Sequence, residues 1–217
     1  MAHFRTFASA AALQDFLLQE AGPGTLTVVP HQRLAHQVWQ RQRQACLAAG
    51  KSAWEPLPLL TLGAWWRELY RRLWLPHISA PHLQRLALWL KALQAGPALE
   101  GAQPDLAWAQ ALDEAYETLV RHGLHDLSPR FDDPPVVAWR RQVTRIYEEL
   151  LQAEGLRSPA QAALELLATL EQGRLPLPEK ILVVGLETPA PLEAAWLDAV
   201  GRRTQVLRLM VRGNPAA

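Results

Sequence analysis

The sequence predicts an α/β fold in which a parallel β-sheet with flanking helices carries a large all-helical insertion. Short apolar runs alternate with helical patterns at both ends of the chain, and this alternation is typical of a parallel sheet. The late run 181–184 is apolar at every position, as expected for a strand covered on both faces. We therefore expect a discontinuous α/β core of residues 1–62 and 176–217, and a helical insertion of residues 63–175. A second independent domain is the alternative.

The first elements alternate between strand and helix. Residues 4–7 predict a short strand, and Ser9 can cap a helix that ends near Gly22. The β-branched run 25–29, closed by Pro30, predicts a buried strand.

A second helix over residues 32–48 follows, with Gly50 at its end, before a short apolar run at residues 58–60. From Thr61 onward the apolar period is helical, and five helices are predicted before Gly173. Their predicted starting residues are Thr61, Pro81, Asp105, Asp133 and Ser158.

The last helix of this middle part begins with a capping-box pattern, Ser158 with Gln161, and has Pro159 at its first helical position. Residues 180–184 then return to a strand. Thr188 and Pro189 are predicted to begin a helix, and residues 205–211 form the last predicted strand.

The composition is that of a globular protein. Of the 217 residues, 49% are hydrophobic and 20% are charged, and the net charge is +1. A free-standing nucleic-acid binder usually has a larger basic excess, so any nucleic-acid contact must come from a local patch. Cys46 is the single cysteine, which excludes an internal disulfide and a zinc site built from cysteines. With no apolar stretch of about 18 residues and no signal-peptide pattern, we expect a cytoplasmic protein with no membrane partner.

The residues that would bind a nucleotide are missing from the expected places. A phosphate-binding loop needs glycines and a Gly-Lys-Ser/Thr ending, but residues 8–12 contain neither glycine nor lysine. The chain does contain one Gly-Lys-Ser sequence, at residues 50–52. It follows a helix rather than a strand, so its match to the end of a phosphate-binding loop is best explained as chance. The strand 181–184 does not end in an acidic residue that could hold Mg²⁺, and Glu187 comes later. We predict no cofactor, no metal site and no catalytic residue.

Two groups of histidine and aspartate residues could suggest metal sites. His122 and His125, with Asp126 beside them, form one group. No further ligand that would complete a metal site is identifiable, and Gly123 indicates that a helix ends there in a surface turn. Asp132 and Asp133 precede two prolines, which favours a helix cap over a metal-binding pair.

Two histidine pairs and the tryptophans could also suggest binding sites, but their spacing favours a structural role. The pairs His31 with His36 and His77 with His82 are five residues apart, so neither pair shares a helical face well. The nine tryptophans include Trp65 and Trp66, which could stack on bases. Their helical spacing with neighbouring leucines favours packing instead.

One charge pattern favours phosphate binding. No acidic residue occurs between Glu20 and Glu55, although three arginines and Lys51 lie there. The helix in this stretch follows a buried strand, and a helix N-terminus presents free N–H groups and a partial positive charge. An ordinary solvated polar face is the alternative.

Two pairs of segments resemble a known family. Residues 26–35 (LTVVPHQRLA) and 58–65 (PLLTLGAW) form one. Residues 155–160 (GLRSPA) and 181–189 (ILVVGLETP), continuing to Leu197, form the other. They resemble the N-terminal helicase-like region of AddB-type subunits and related RecB-family DNA repair nucleases. The first pair is similar to motif Ia of superfamily 1 helicases and the segment after it. The second is similar to the motif II region.

The resemblance implies a degenerate P-loop NTPase fold, like domain 1A of those helicases, that has lost nucleotide hydrolysis. Residues 9–12 cannot serve as a phosphate-binding loop, and Val184 stands where active helicases have an aspartate. The family's nuclease domain lies far toward the C-terminus of a longer protein. The resemblance therefore implies that this chain is an N-terminal fragment of an exonuclease. Its implied partners are the C-terminal nuclease region of the same polypeptide and a helicase–nuclease partner subunit.

Our first hypothesis is a non-catalytic, helicase-like domain of a bacterial DNA repair protein. It would act as a scaffold and contact the backbone of single-stranded DNA without sequence preference. The candidate contacts are Pro30, His31, Gln32, Arg33, Arg41 and Arg43. A protein-interaction module without DNA binding is the second hypothesis, and an enzyme with an unrecognised small-molecule site in the α/β half is the third.

Overall fold

The structure is a computed structural model that describes residues 3–22, 24–98, 104–125, 128 and 134–212. It divides into two compact units. The first comprises Met1–Glu68, Thr169–Pro189 and Ala194–Ala217, and the second comprises Leu69–Ala168 and Ala190–Glu193.

Strands and helices alternate at both ends of the chain, and helices predominate between them. In chain order the elements are β1 (His3–Phe7), α1 (Ala10–Glu20), β2 (Thr25–Val29), α2 (Gln32–Ala48), β3 (Leu59–Thr61), α3 (Leu62–Arg72), β4 (Ile78–Ser79), α4 (His82–Ala95), α5 (Leu106–Arg121), α6 (Pro135–Ala153), β5 (Leu156–Arg157), α7 (Pro159–Glu171), β6 (Lys180–Val184), α8 (Pro191–Gly201) and β7 (Gln205–Val211).

The first unit contains a five-stranded sheet in the order β1-β7-β6-β2-β3, and every neighbouring pair is parallel. Thr27 of β2 pairs with Leu59 on one side and with Leu182 on the other. The early strand β2 and the late strand β6 are therefore neighbours in the middle of one sheet. This confirms the predicted α/β class with a parallel sheet, and agrees with the burial of both strands along nearly their whole length.

Helices α1 and α2 pack on one face of this sheet. Their apolar side chains join strand residues in one buried cluster, which contains Phe7, Leu13, Phe16, Leu17, Val29, Ala35, Val38, Leu59, Leu182, Val184 and Leu209. Elsewhere in the unit Trp65 and Trp66 pack edge-on against Trp196, with ring centroids 5.4 and 6.0 Å apart. Both tryptophans of α3 are thus core residues, as their helical spacing favoured.

The second unit is mainly helical and has an aromatic centre. Trp89 of α4 stacks on Tyr147 of α6 with 3.9 Å between ring centroids, and Tyr116 of α5 meets both rings edge-on. The predicted capping box is confirmed, because the N–H of Ser158 donates to Gln161 and the N–H of Gln161 donates to the Ser158 hydroxyl.

Three local predictions need correction or lie outside the described residues. Helix α8 begins at Pro191 rather than at Thr188, because the Glu193 carboxylate accepts the N–H of Ala190 and fixes the start there. The two-residue strands β4 and β5, paired in parallel, were not predicted, since two residues carry no periodic signal. Asp132 and Asp133 lie outside the described residues, and α6 begins at Pro135.

Candidate nucleic-acid interface

The predicted contact residues lie where the strand order of the sheet reverses. From β2 the chain proceeds to β3 on one side, whereas from β6 it proceeds to β7 on the other side. In parallel sheets ligands bind beyond the carboxyl ends of the strands at such a switch point. Pro30 and His31, which follow β2, and Gly185, which follows β6, occupy that place.

Gly185 and Pro30 approach each other closely at this edge. Gly185 has a φ of +64°, and a Cβ added to it would lie 3.3 Å from Pro30 Cγ. The N–H of Gly185 donates to the carbonyl oxygen of Leu209 at 3.1 Å, which ties this turn to β7. The ring of Pro30 therefore covers the turn that follows Val184.

His31 caps the N-terminus of α2. Its backbone is extended (φ −154°, ψ 155°), and its Nδ1 accepts the N–H of Leu34 at 3.1 Å. A neutral imidazole that accepts at Nδ1 carries its proton on Nε2, so this exposed side chain is a donor at its outer edge. The N–H groups of Gln32 and Arg33 remain for an external acceptor at the positive end of the helix.

The three candidate arginines of α2 do not form one cluster. Arg33 and Arg43 are exposed, and their positions ten residues apart correspond to about 15 Å along the helix axis. Arg41 is half-buried and turned toward α1, where its guanidinium contacts the Asp15 carboxylate at 2.6 Å and the Gln14 side-chain oxygen at 3.1 Å. Arg41 is thus engaged within the protein.

An exposed polar face of α2 connects the two exposed arginines. Its residues are spaced by three or four positions, and all are solvent-exposed: Arg33, His36, Gln37, Gln40 and Gln44, with Arg43 at the margin. Helix α2 contains no acidic residue. We call this set the α2 outer face. His36 and the three glutamines were missed as candidates, although their helical spacing in an acid-free helix is a readable signal.

The inner side of α2 is firmly held. Ala35 and Val38 are buried against the sheet. Trp39 Nε1 donates to the carbonyl oxygen of Leu57 at 2.9 Å, and the Gln42 amide bonds to the backbone of Glu55 and of Leu57. The outer face is therefore presented by a fixed helix, with little rearrangement needed on binding.

The segments that would hold a nucleotide take other roles. Strand β1 passes into α1 through only Ala8 and Ser9, and the Ser9 hydroxyl accepts the N–H of Ala12 at 3.2 Å. Gly50, with a φ of +71°, ends α2, and the N–H of Lys51 returns to the carbonyl oxygen of Cys46. The Gly-Lys-Ser sequence is thus a helix C-terminus.

The histidines among the described residues belong to no group that could hold a metal ion. Within the described residues no group of three or more His, Cys, Asp or Glu side chains could hold a metal ion. His122 and His125 are exposed after α5, next to Gly123 with a φ of +68°, whereas Asp126 is outside the described part of the chain.

No helix among the described residues is both long and apolar enough to cross a membrane.

The second unit contains a buried ion pair that the sequence did not indicate. Arg85 of α4 donates two hydrogen bonds to Asp113 of α5, at 2.9 and 2.8 Å, and Trp89 donates a third at 3.3 Å. The Asp113 side chain is 3% exposed. One α5 turn later, the Glu117 carboxylate accepts the N–H of Ala160 at the start of α7. These contacts fix helices to one another, and both carboxylates lie away from solvent.

A second polar cluster lies near β5. Tyr70 donates to Glu165 at 2.7 Å, and Arg157 donates to the same carboxylate at 2.7 Å and contacts His77 at 3.0 Å. Burial and the adjacent Glu165 raise the pKa of the Tyr70 hydroxyl well above its ordinary value. A phenol with so high a pKa is a hydrogen-bond donor, so we interpret this cluster as a structural link between helices.

A scan against protein-family models finds no family that matches the chain. A search of curated proteins finds no significantly similar relative.

Proposed function

We propose that this chain is a non-catalytic, helicase-like domain of a bacterial DNA repair helicase–nuclease protein. It contacts the backbone of single-stranded DNA through the N-terminus and the outer face of α2, and serves as a scaffold for a nuclease region of the same polypeptide and for a helicase–nuclease partner subunit. The observation that carries the proposal is the position of an acid-free helix, with exposed Arg33 in its first turn, at the switch point of the sheet.

The sheet supports the helicase-like part of this proposal. Residues 26–35 and 181–189, which resemble the motif Ia and motif II regions, begin in β2 and β6, and these two strands are adjacent and parallel. Val184, 3% exposed, stands at the end of the second of these strands, where an active helicase would need an acid for Mg²⁺. The two-residue turn between β1 and α1 gives the same support for the loss of nucleotide hydrolysis.

The rival hypothesis, a protein-interaction module without DNA binding, relied on the abundance of tryptophan. The structure weakens this support. Five of the nine tryptophans are buried: Trp65, Trp66, Trp89, Trp139 and Trp196. Packing within the units accounts for these residues, so they do not require a protein partner.

Binding of single-stranded DNA at two salt concentrations tests the proposal. Fluorescence anisotropy would follow the 217-residue chain with a labelled oligothymidine longer than about 16 nucleotides. We expect binding at about 50 mM salt and a steep loss by about 200 mM, because phosphate contacts release counterions. No binding at the lower concentration, or an affinity that salt leaves unchanged, would contradict a DNA-backbone role.

A further inference from the structure

We draw no further inference here: the strongest candidate, an apolar pocket of about 170 Å³ in the second unit that Leu93, Pro97, Pro104, Trp108 and Trp139 help to line, carries none because nothing among the described residues shows what would occupy it.

Discussion

Gly185 lies against Pro30 where the two central strands of the sheet end, and a Cβ on the glycine would come within 3.3 Å of the proline ring. The chain turns at Gly185 with a φ of +64°. This contact joins the turn after β6 to the residue that precedes the N-cap of α2. The start of the proposed DNA-contacting helix therefore lies next to a turn where even a Cβ would make a tight contact.

Gly185→Ala should lower the free energy of unfolding more than Gly50→Ala does. Both glycines have positive φ, but nothing lies within 4 Å of a Cβ at Gly50. The control should therefore show only the backbone strain, about 1–2 kcal/mol before the smaller gain from a stiffer unfolded chain. Overpacking against Pro30 should add about 1 kcal/mol or more at Gly185. Urea denaturation measures both, and equal losses would mean that the contact with Pro30 is unimportant.

Arg33→Gln should weaken DNA binding, whereas Arg41→Gln should not. Arg33 is exposed at the start of α2, but the Arg41 guanidinium is paired with Asp15. Loss of one phosphate contact reduces the slope of log K against log salt by about 1. A salt titration of oligothymidine binding would reveal this change. Identical slopes for Arg33→Gln and the wild type would remove Arg33 from the interface.

Arg85→Ala should destabilise the second unit strongly. It would leave the Asp113 carboxylate, 3% exposed, without its two guanidinium hydrogen bonds. An unpaired buried charge costs about 3–5 kcal/mol. Lys91→Ala is the matched control on the same helix, since the exposed Lys91–Glu154 pair at 3.5 Å should contribute less than about 1 kcal/mol. Thermal unfolding of both variants would measure the difference, and similar melting temperatures would show that the buried pair contributes little.

Glu117→Gln should stabilise the protein increasingly as the pH rises. Burial raises the pKa of Glu117 above 4.5, and nearby Asp113 also raises it, while the Ser158 hydrogen bond and Arg85 oppose the shift. The folded state then holds this proton more tightly than the unfolded state does. The resulting stability is complete below the unfolded pKa and is lost as the pH rises through the folded pKa.

Glutamine keeps an acceptor for the N–H of Ala160 and has no proton to lose. The advantage of Glu117→Gln in the free energy of unfolding should therefore grow from about pH 4.5 upward and level off above the folded pKa. Urea denaturation of both proteins across this range would measure it. A constant difference at every pH would show that Glu117 has the same pKa in the folded and unfolded states.

The secondary structure could be predicted from the sequence wherever an apolar pattern extends over several residues. The strand 25–29 and the helix 32–48 were predicted with the bounds that the structure has, because an apolar run and an uninterrupted helical period are local signals. The predicted start of α8 at Thr188 was wrong by three residues, since the helix begins at Pro191. Both positions have a proline that suits a helix start, and the hydrogen bond from the N–H of Ala190 to the Glu193 carboxylate stabilises the later one.

The candidate site was only partly predictable. The sequence places Arg33, Arg41 and Arg43 on one helix, but whether α1 offers Asp15 to Arg41 depends on how the two helices pack.

By itself the sequence determined the class of the fold, since apolar periodicity and capping residues act within a few positions of each other. It also determined the absence of acidic residues from α2. The sequence predicted that the early and late strands share one sheet, but only the tertiary structure decided the register in which β2 pairs with β6. It also decided that Pro30 meets Gly185 and that Arg85 reaches Asp113. Such contacts join residues 28 to 155 positions apart, and only the packing of whole elements brings them together.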